Sequence, residues 1–213
     1  MEKINVCKKC DRTYMRKTCE FCQRISQWRD TLFLDSFPIR IRKDLGSIKD
    51  KELEKLTGTI MASMQRVPGS GVFIHGVVGS GKTFLACKVM LAFMKENYVT
   101  RNGFKSYLFC NVPDLLQRLK AGIKDNLETS IVEELTHVDL LIFDDIGVGK
   151  ESEWFHNILY LIINHRYAEM KPTIFTSNKT EDELVHILDD RIVSRIAGMT
   201  IPIERKPKDY RIC

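Results

Sequence analysis

The chain has 213 residues, 44% of them hydrophobic and 29% charged, the balance of a soluble globular protein with room for one α/β domain and about 30 to 50 further residues. No apolar run reaches the roughly 18 residues of a membrane span, and the amino terminus MEKINVCKKCDRTYMRK has no apolar core, so neither a span nor a signal peptide is expected. A formal net charge of +5 permits nucleic-acid contact without requiring it.

Four of the seven cysteines stand early, as the pairs Cys7/Cys10 and Cys19/Cys22. Cys87, Cys110 and Cys213 lie in apolar or terminal contexts. This distribution suits a reducing, cytoplasmic compartment better than a disulfide framework. Two C-x-x-C knuckles offer four thiolates, which suit a tetrahedral structural Zn²⁺. A module of about 25 residues buries too little core to fold alone, so the metal would supply folding energy. Two redox C-x-x-C pairs, or unliganded cysteines, are the alternatives. Tyr14, Arg16, Lys17, Phe21 and Trp28 in the same region suit protein or DNA contact. The expected organisation is a zinc-binding module over 1–30, a linker over 31–47 and a nucleotide-binding domain over 48–213.

After the linker, apolar spacing at Ile48, Leu53, Leu56, Ile60 and Met64 predicts a helix, stopped by Pro68, Gly69 and Gly71. Strands and helices then alternate. Strands are expected at 71–75, 105–110, 138–145 and 172–178, and helices at 82–97, 113–123, 153–170 and 180–188. Thr180 and Glu183 form a capping-box signature for the last of these. Such alternation predicts a parallel sheet covered by helices on both faces.

Between the first strand and its helix lies Gly76-Val77-Val78-Gly79-Ser80-Gly81-Lys82-Thr83, matching G-x-x-x-x-G-K-[ST]. The glycines let successive N–H groups face one anion, and the following helix points its amino terminus at the same place. Lys82 is expected to reach the β- and γ-phosphates of ATP, and the Thr83 hydroxyl to ligate Mg²⁺. Phe84 completes the candidate nucleotide-binding set. The stretch LLIFDDIG ends an apolar strand in two carboxylates. Asp144, at the end of a neighbouring buried strand, is the expected partner of Mg²⁺, and Asp145 is expected to orient or deprotonate the attacking water. TIFTSN ends another strand in Asn178, whose amide is placed to position water, although Ser-Asn is also ordinary turn chemistry. Arg191 and Arg195, four apart on an expected helix, share a flank if Ile192 and Ile196 pack inward. They form either a solvated charged face or a source of arginine for a neighbour's ATP site.

In this order, the phosphate loop, LLIFDDIG, NILYLIINHRYAEMKPTIFTSN and DRIVSRI resemble the DnaC/DnaI-type replicative helicase loaders of the AAA+ superfamily, phage versions included. The related IstB-type transposition ATPases share this core. The resemblance covers roughly residues 48 to 213. It implies a three-layer P-loop AAA+ fold and an ATPase that self-associates through its ATP site. The implied partners are a DnaB-type hexameric helicase and single-stranded DNA, and the implied process is replication initiation. It makes Lys82 and Thr83 the Walker A pair, Asp144 and Asp145 the Walker B pair, Asn178 sensor 1, Arg195 the arginine finger with Arg191 as second candidate, and Arg211 in KDYRIC sensor 2. Some such loaders carry an amino-terminal zinc module that docks on the helicase. Two departures stand out. Many AAA+ proteins have Asp-Glu where this chain has Asp-Asp, which implies slow hydrolysis. The sequence also ends soon after Arg211, so a large helical lid is not expected. The alternative within the fold is an IstB-like ATPase assisting a transposase. A small-molecule kinase is the alternative outside it.

Arg101, Lys105, Arg118, Lys120 and Lys124 are the candidate DNA-contacting cations. They would give salt-dependent, sequence-neutral binding, and solvated helix faces are the competing explanation.

Overall fold

Five parallel strands organise the nucleotide-binding domain in the computed structural model. The structure describes residues 5–6, 13–14, 37–45, 50–97, 99–100, 103–125, 127–149 and 152–206. Its elements begin with β1 (Asn5–Val6) and β2 (Thr13–Tyr14), which pair antiparallel. Next come α1 (Ile39–Asp44), α2 (Lys51–Arg66), β3 (Gly71–Gly76) and α3 (Lys82–Asn97). A short antiparallel pair, β4 (Val99–Thr100) and β5 (Gly103–Phe104), leads to β6 (Tyr107–Asn111), α4 (Val112–Gly122) and α5 (Glu128–His137). The domain is completed by β7 (Leu140–Asp144), α6 (Glu153–Ala168), β8 (Thr173–Ser177), α7 (Glu181–Leu184), α8 (Asp190–Met199) and β9 (Thr200–Arg205).

The sheet order is β6-β7-β8-β3-β9. Successive strand residues point to opposite faces, and both faces are covered, which is why the central strands read as unbroken apolar runs. Phe73, Leu141, Phe143 and Phe175 join one core with residues of α4, α5, α6 and α8. Val72, Ile74, Leu140, Ile142 and Ile174 join the other with residues of α2 and α3. The result is the expected sheet between two helical layers.

Several local expectations meet their physical cause in the structure. Asp50 caps α2 by accepting from Glu52 N at 2.9 Å and Leu53 N at 3.2 Å. The Thr180/Glu183 capping box forms, but α7 ends at Leu184, and residues 185–187 continue as turns. Besides α1 and the short strands β1, β2, β4 and β5, two elements of the domain lay outside the sequence expectations. One is α5. The other is β9, whose residue Pro202 donates no ladder bond; an edge position beside β3 tolerates that loss.

The expected linker needs a correction over its described part. Phe37 is buried, and Ile41 and Leu45 pack with it onto the core beside α2 and α3, so residues 37–45 belong to the nucleotide-binding domain. Cys87 and Cys110 are buried thiols, and burial pushes Cys110 up to about 12, so both are inert packing groups. No described helix is long and apolar enough to cross a membrane.

Candidate nucleotide site

The carboxyl ends of the strands meet at one edge, where ligands of open parallel sheets bind. Register brings Gly76 beside Arg205, His75 beside Ser177 and Asn111 beside Asp144. One correction follows from the strand order: β7 is not the neighbour of the phosphate-loop strand, because β8 lies between them. The end of β8 is therefore central, between Lys82 and the acidic pair.

The loop between β3 and α3 requires its glycines. A Cβ on Gly76 would stand 2.3 Å from the Arg205 carbonyl oxygen, and Gly79 adopts a φ of 84°, open to glycine at little cost. The Lys82 ammonium is buried and donates to the carbonyls of Gly76 and Val77 at 2.9 Å each, and to Asn178 Oδ1 at 2.6 Å. Lys82 and the Asn178 amide thus touch directly, across 96 residues of sequence.

Thr176, a hydroxyl in an otherwise apolar strand, organises the acids. Its Oγ1 donates to Asp144 Oδ1 at 2.7 Å and accepts from the Asp145 backbone N–H at 2.9 Å. Asp145 follows at a φ of 60°, in the left-handed region that few non-glycine residues occupy. That turn brings its carboxylate into the cavity wall while Asp144 stays buried. Asp144 also hydrogen-bonds the side chains of Thr83 and Asn111. Burial, reinforced by the Asp145 charge, pushes its carboxyl up to about 6 against those stabilising bonds.

A cavity of about 330 Å³ opens here, lined by Val78, Gly79, Lys82, Thr83, Phe84, Asp145 and Asn178. Its size is at the lower end for small-molecule sites. Arg40, Ile41, Asp44 and Leu53 close another wall, and Arg205 stands against the loop, its Nε donating to Ser80 O at 3.3 Å. Sequence reasoning missed all of these. Thr176 and Asn111 were legible only as polar breaks in apolar strands. Arg40 and Ile41 lay in the supposed linker, and Arg205 in the missed strand.

The residues fit a magnesium nucleotide. The glycine-lined loop offers backbone donors, Ser80 Oγ is buried with no partner among the described residues, and Thr83 and Asp144 form an oxygen donor set suited to Mg²⁺. Because the Asp144 carboxyl holds its proton to higher pH when folded than the ordinary value of about 3.9, the folded state binds more protons between the two values. Stability therefore falls as pH rises through that window. Asp144→Asn should stabilise the chain by about 2–3 kcal/mol at pH 7.5 in magnesium- and nucleotide-free buffer, with little gain near pH 4. Urea melts at the two pH values check this; an equal gain at both rejects the assignment.

The arginines of α8 sit elsewhere. Ile192 and Ile196 are fully buried as expected, and neither Arg191 nor Arg195 lines the cavity. Arg191 donates to both carboxylate oxygens of Asp189, at 2.9 and 2.7 Å, and lies over the Tyr160 ring. Arg195 has no acidic partner among the described residues. Of the candidate DNA contacts, Lys105 pairs with Asp139 at 2.9 Å and Arg118 with Glu134 at 3.5 Å, while Lys120 is exposed on α4. Arg101, Arg211, Cys7, Cys10, Cys19, Cys22 and the side chain of Lys124 lie outside the described residues.

Fold and site define a P-loop nucleotide-binding protein of AAA+ type. The chain belongs to the IstB-like ATP binding protein family, whose model matches residues 15–197. It is similar to the replicative helicase loader DnaI of Bacillus subtilis, with 27% identity over 156 residues, 67% of this chain and 48% of that protein. It is also similar to the replicative helicase loader DnaC of Escherichia coli, with 29% identity over 123 residues, 57% of this chain and 47% of that protein. The chain thus spans about half the length of these relatives. A crystal structure of the DnaC helicase loader superposes with a TM-score of 0.66 at 25% identity, covering 79% of this chain and 100% of that one.

Proposed function

We propose that this protein is an ATP-dependent helicase loader, delivering a DnaB-type hexameric helicase onto single-stranded DNA at replication initiation. The observation that carries the mechanism is the division of the site. Lys82, Thr83, Asp145 and Asn178 line one cavity with Asp144 buried beside them, and Arg40 and Arg205 stand in its wall, whereas Arg191 and Arg195 of α8 stand apart from it. A hydrolytic site needs a cation for the charge that develops on the γ-phosphoryl group, and an arginine from a second copy supplies it. ATP bound at the loop then drives self-association, with Arg195 entering the neighbouring copy's site. Thr83 and Asp144 would hold Mg²⁺, whose charge would offset that of the phosphates. Asn178 and Asp145 orient the attacking water, and the short Asp145 suits slow turnover. The names of the relatives support the loader assignment over a transposase-assisting role.

The amino-terminal region serves as the helicase-docking module. In sequence Cys7 and Cys10 fall between the paired strands β1 and β2, an arrangement suited to a zinc knuckle completed by Cys19 and Cys22. Purified protein is expected to hold one zinc per chain by metal analysis.

The test is a pull-down of a DnaB-type helicase with and without ATP, followed by loading of that helicase on closed circular single-stranded DNA. ATP-dependent capture and increased loading are expected. Neither effect, or capture of a transposase on duplex DNA instead, rejects the reading.

A further inference from the structure

We infer that Asn164, Tyr167 and Gly198 form a cradle that positions the Arg195 guanidinium for use by a neighbouring copy while leaving its charge uncommitted. This rests on the trans-acting role of Arg195 proposed above and assigns the residues that prepare it.

Asn164 and Tyr167 lie three apart on α6, so they share a face of that helix. Arg195 Nε donates to Asn164 Oδ1 at 3.0 Å, and its guanidinium carbon lies 5.0 Å from the centre of the Tyr167 ring. Gly198 follows Arg195 by one turn of α8. A Cβ at Gly198 would stand 3.1 Å from Tyr167 Cε2, so the missing side chain makes room for the ring on which Arg195 rests. Two side chains of α6 thus meet Arg195, and Gly198 of α8 leaves the space that one of them occupies.

The chemistry of the holding groups matters as much as the geometry. An amide oxygen and an aromatic face attract a guanidinium without cancelling its charge. The amide engages only Nε, and among the described residues neither terminal nitrogen of Arg195 has an acceptor. Arg191, one turn earlier on the same helix, shows the opposite arrangement: Asp189 chelates it with both oxygens. A chelated arginine must break two charged hydrogen bonds before it serves a phosphate, whereas Arg195 must break none at its terminal nitrogens. Holding a long side chain in one arrangement beforehand also removes rotamer entropy otherwise lost when copies dock. The cluster is accessible: Tyr167 is 40% exposed.

The experiment uses mixtures of full-length chains. An Arg195→Ala chain keeps an intact nucleotide pocket but has no arginine to donate. A Lys82→Ala chain has a disabled pocket but an intact arginine. Mixing the two should restore ATP turnover that neither shows alone. Adding Asn164→Ala, Asn164→Asp or Gly198→Ala to the Lys82→Ala donor should cut that restoration about tenfold. In otherwise wild-type chains the same substitutions should leave the melting temperature and the affinity for a fluorescent ATP analogue unchanged. Asn164→Asp is the decisive variant, because it keeps an acceptor for Nε. A merely structural role would preserve turnover, whereas the cradle predicts loss as the carboxylate pins the guanidinium. Tyr167→Phe, which keeps the ring face, should retain restoration. Full restoration by the Asn164 and Gly198 donors, with Arg195→Ala itself inactive, overturns the cradle alone. Undiminished turnover by Arg195→Ala, or no complementation by the simple mixture, overturns the trans-acting arginine and the cradle with it.

Discussion

Asp145→Asn should lower ATP turnover at least about a hundredfold while changing nucleotide affinity less than about threefold. Asp145 lines the cavity together with Lys82 and Asn178, and Thr176 fixes its backbone by accepting its N–H at 2.9 Å. The amide keeps the shape and most of the hydrogen-bonding capacity of the carboxylate but cannot take a proton from water. Binding is expected to depend instead on the loop, Lys82 and the Thr83–Asp144 pair, which this substitution leaves in place; loss of the Asp145 charge only eases ionisation of Asp144. Single-turnover hydrolysis and fluorescent-nucleotide titration separate the two effects. Wild-type turnover in the variant would remove Asp145 from the chemistry and reduce the acidic pair to a metal site. Thr176 sharpens the point. It also donates to Asp144, so a single hydroxyl sets both carboxylates, and the left-handed backbone at Asp145 is held by that bond.

The second large effect concerns stability. Arg166→Met should destabilise the chain by about 3–5 kcal/mol and lower its melting temperature by roughly 10 °C. Arg166 is fully buried at the end of the sheet opposite the site. Its Nε donates to Thr173 Oγ1 at 2.8 Å, its Nη1 to the carbonyls of Leu135 and Val138 at 2.9 and 2.7 Å, and its Nη2 to Pro172 O at 2.8 Å. Burial pulls its pKa down to about 9. One side chain thus ties the end of α5 and the entries to β7 and β8 onto α6. Methionine fills the space but leaves the carbonyls without donors, which costs more than the lost bonds themselves. Arg166→Lys should rescue little, because a single ammonium cannot span this fan of acceptors. Calorimetric melting of the three proteins checks the order. A methionine variant within about 1 kcal/mol of wild type would show that the carbonyls find other partners.

These two residues mark the limits of sequence reading here. Asp145 was legible because a carboxylate pair at the end of an apolar strand, downstream of a phosphate loop, has few other uses. Arg166 was not, because in NILYLIINHRYAEM it looks like any solvated helical arginine. Only the packing of α5 and two strand entries over it creates its buried acceptors. The linker expectation failed for a similar reason. Phe37, Ile41 and Leu45 are too few and too widely spaced to announce a core element, yet they complete the apolar face left open by α2 and α3. In β9, Pro202 cannot donate to a ladder, and only its edge position admits a strand there.

By itself the sequence determined what local chemistry dictates: the alternation of strands and helices, the glycine loop, the capping box at Thr180, and the order Lys82, Asp144, Asp145, Asn178, Arg195. Each is a pattern of a few adjacent residues whose backbone or hydrogen-bonding requirement is the same in any context. Tertiary structure decided what depends on which strand lies beside which. Inserting β8 between β3 and β7 set Asn178 against Lys82, and Thr176 between the two aspartates. Packing α8 on α6 set Arg195 against the Asn164 amide and the Tyr167 ring. Those outcomes come from contacts between residues tens of positions apart, and no local pattern carries them.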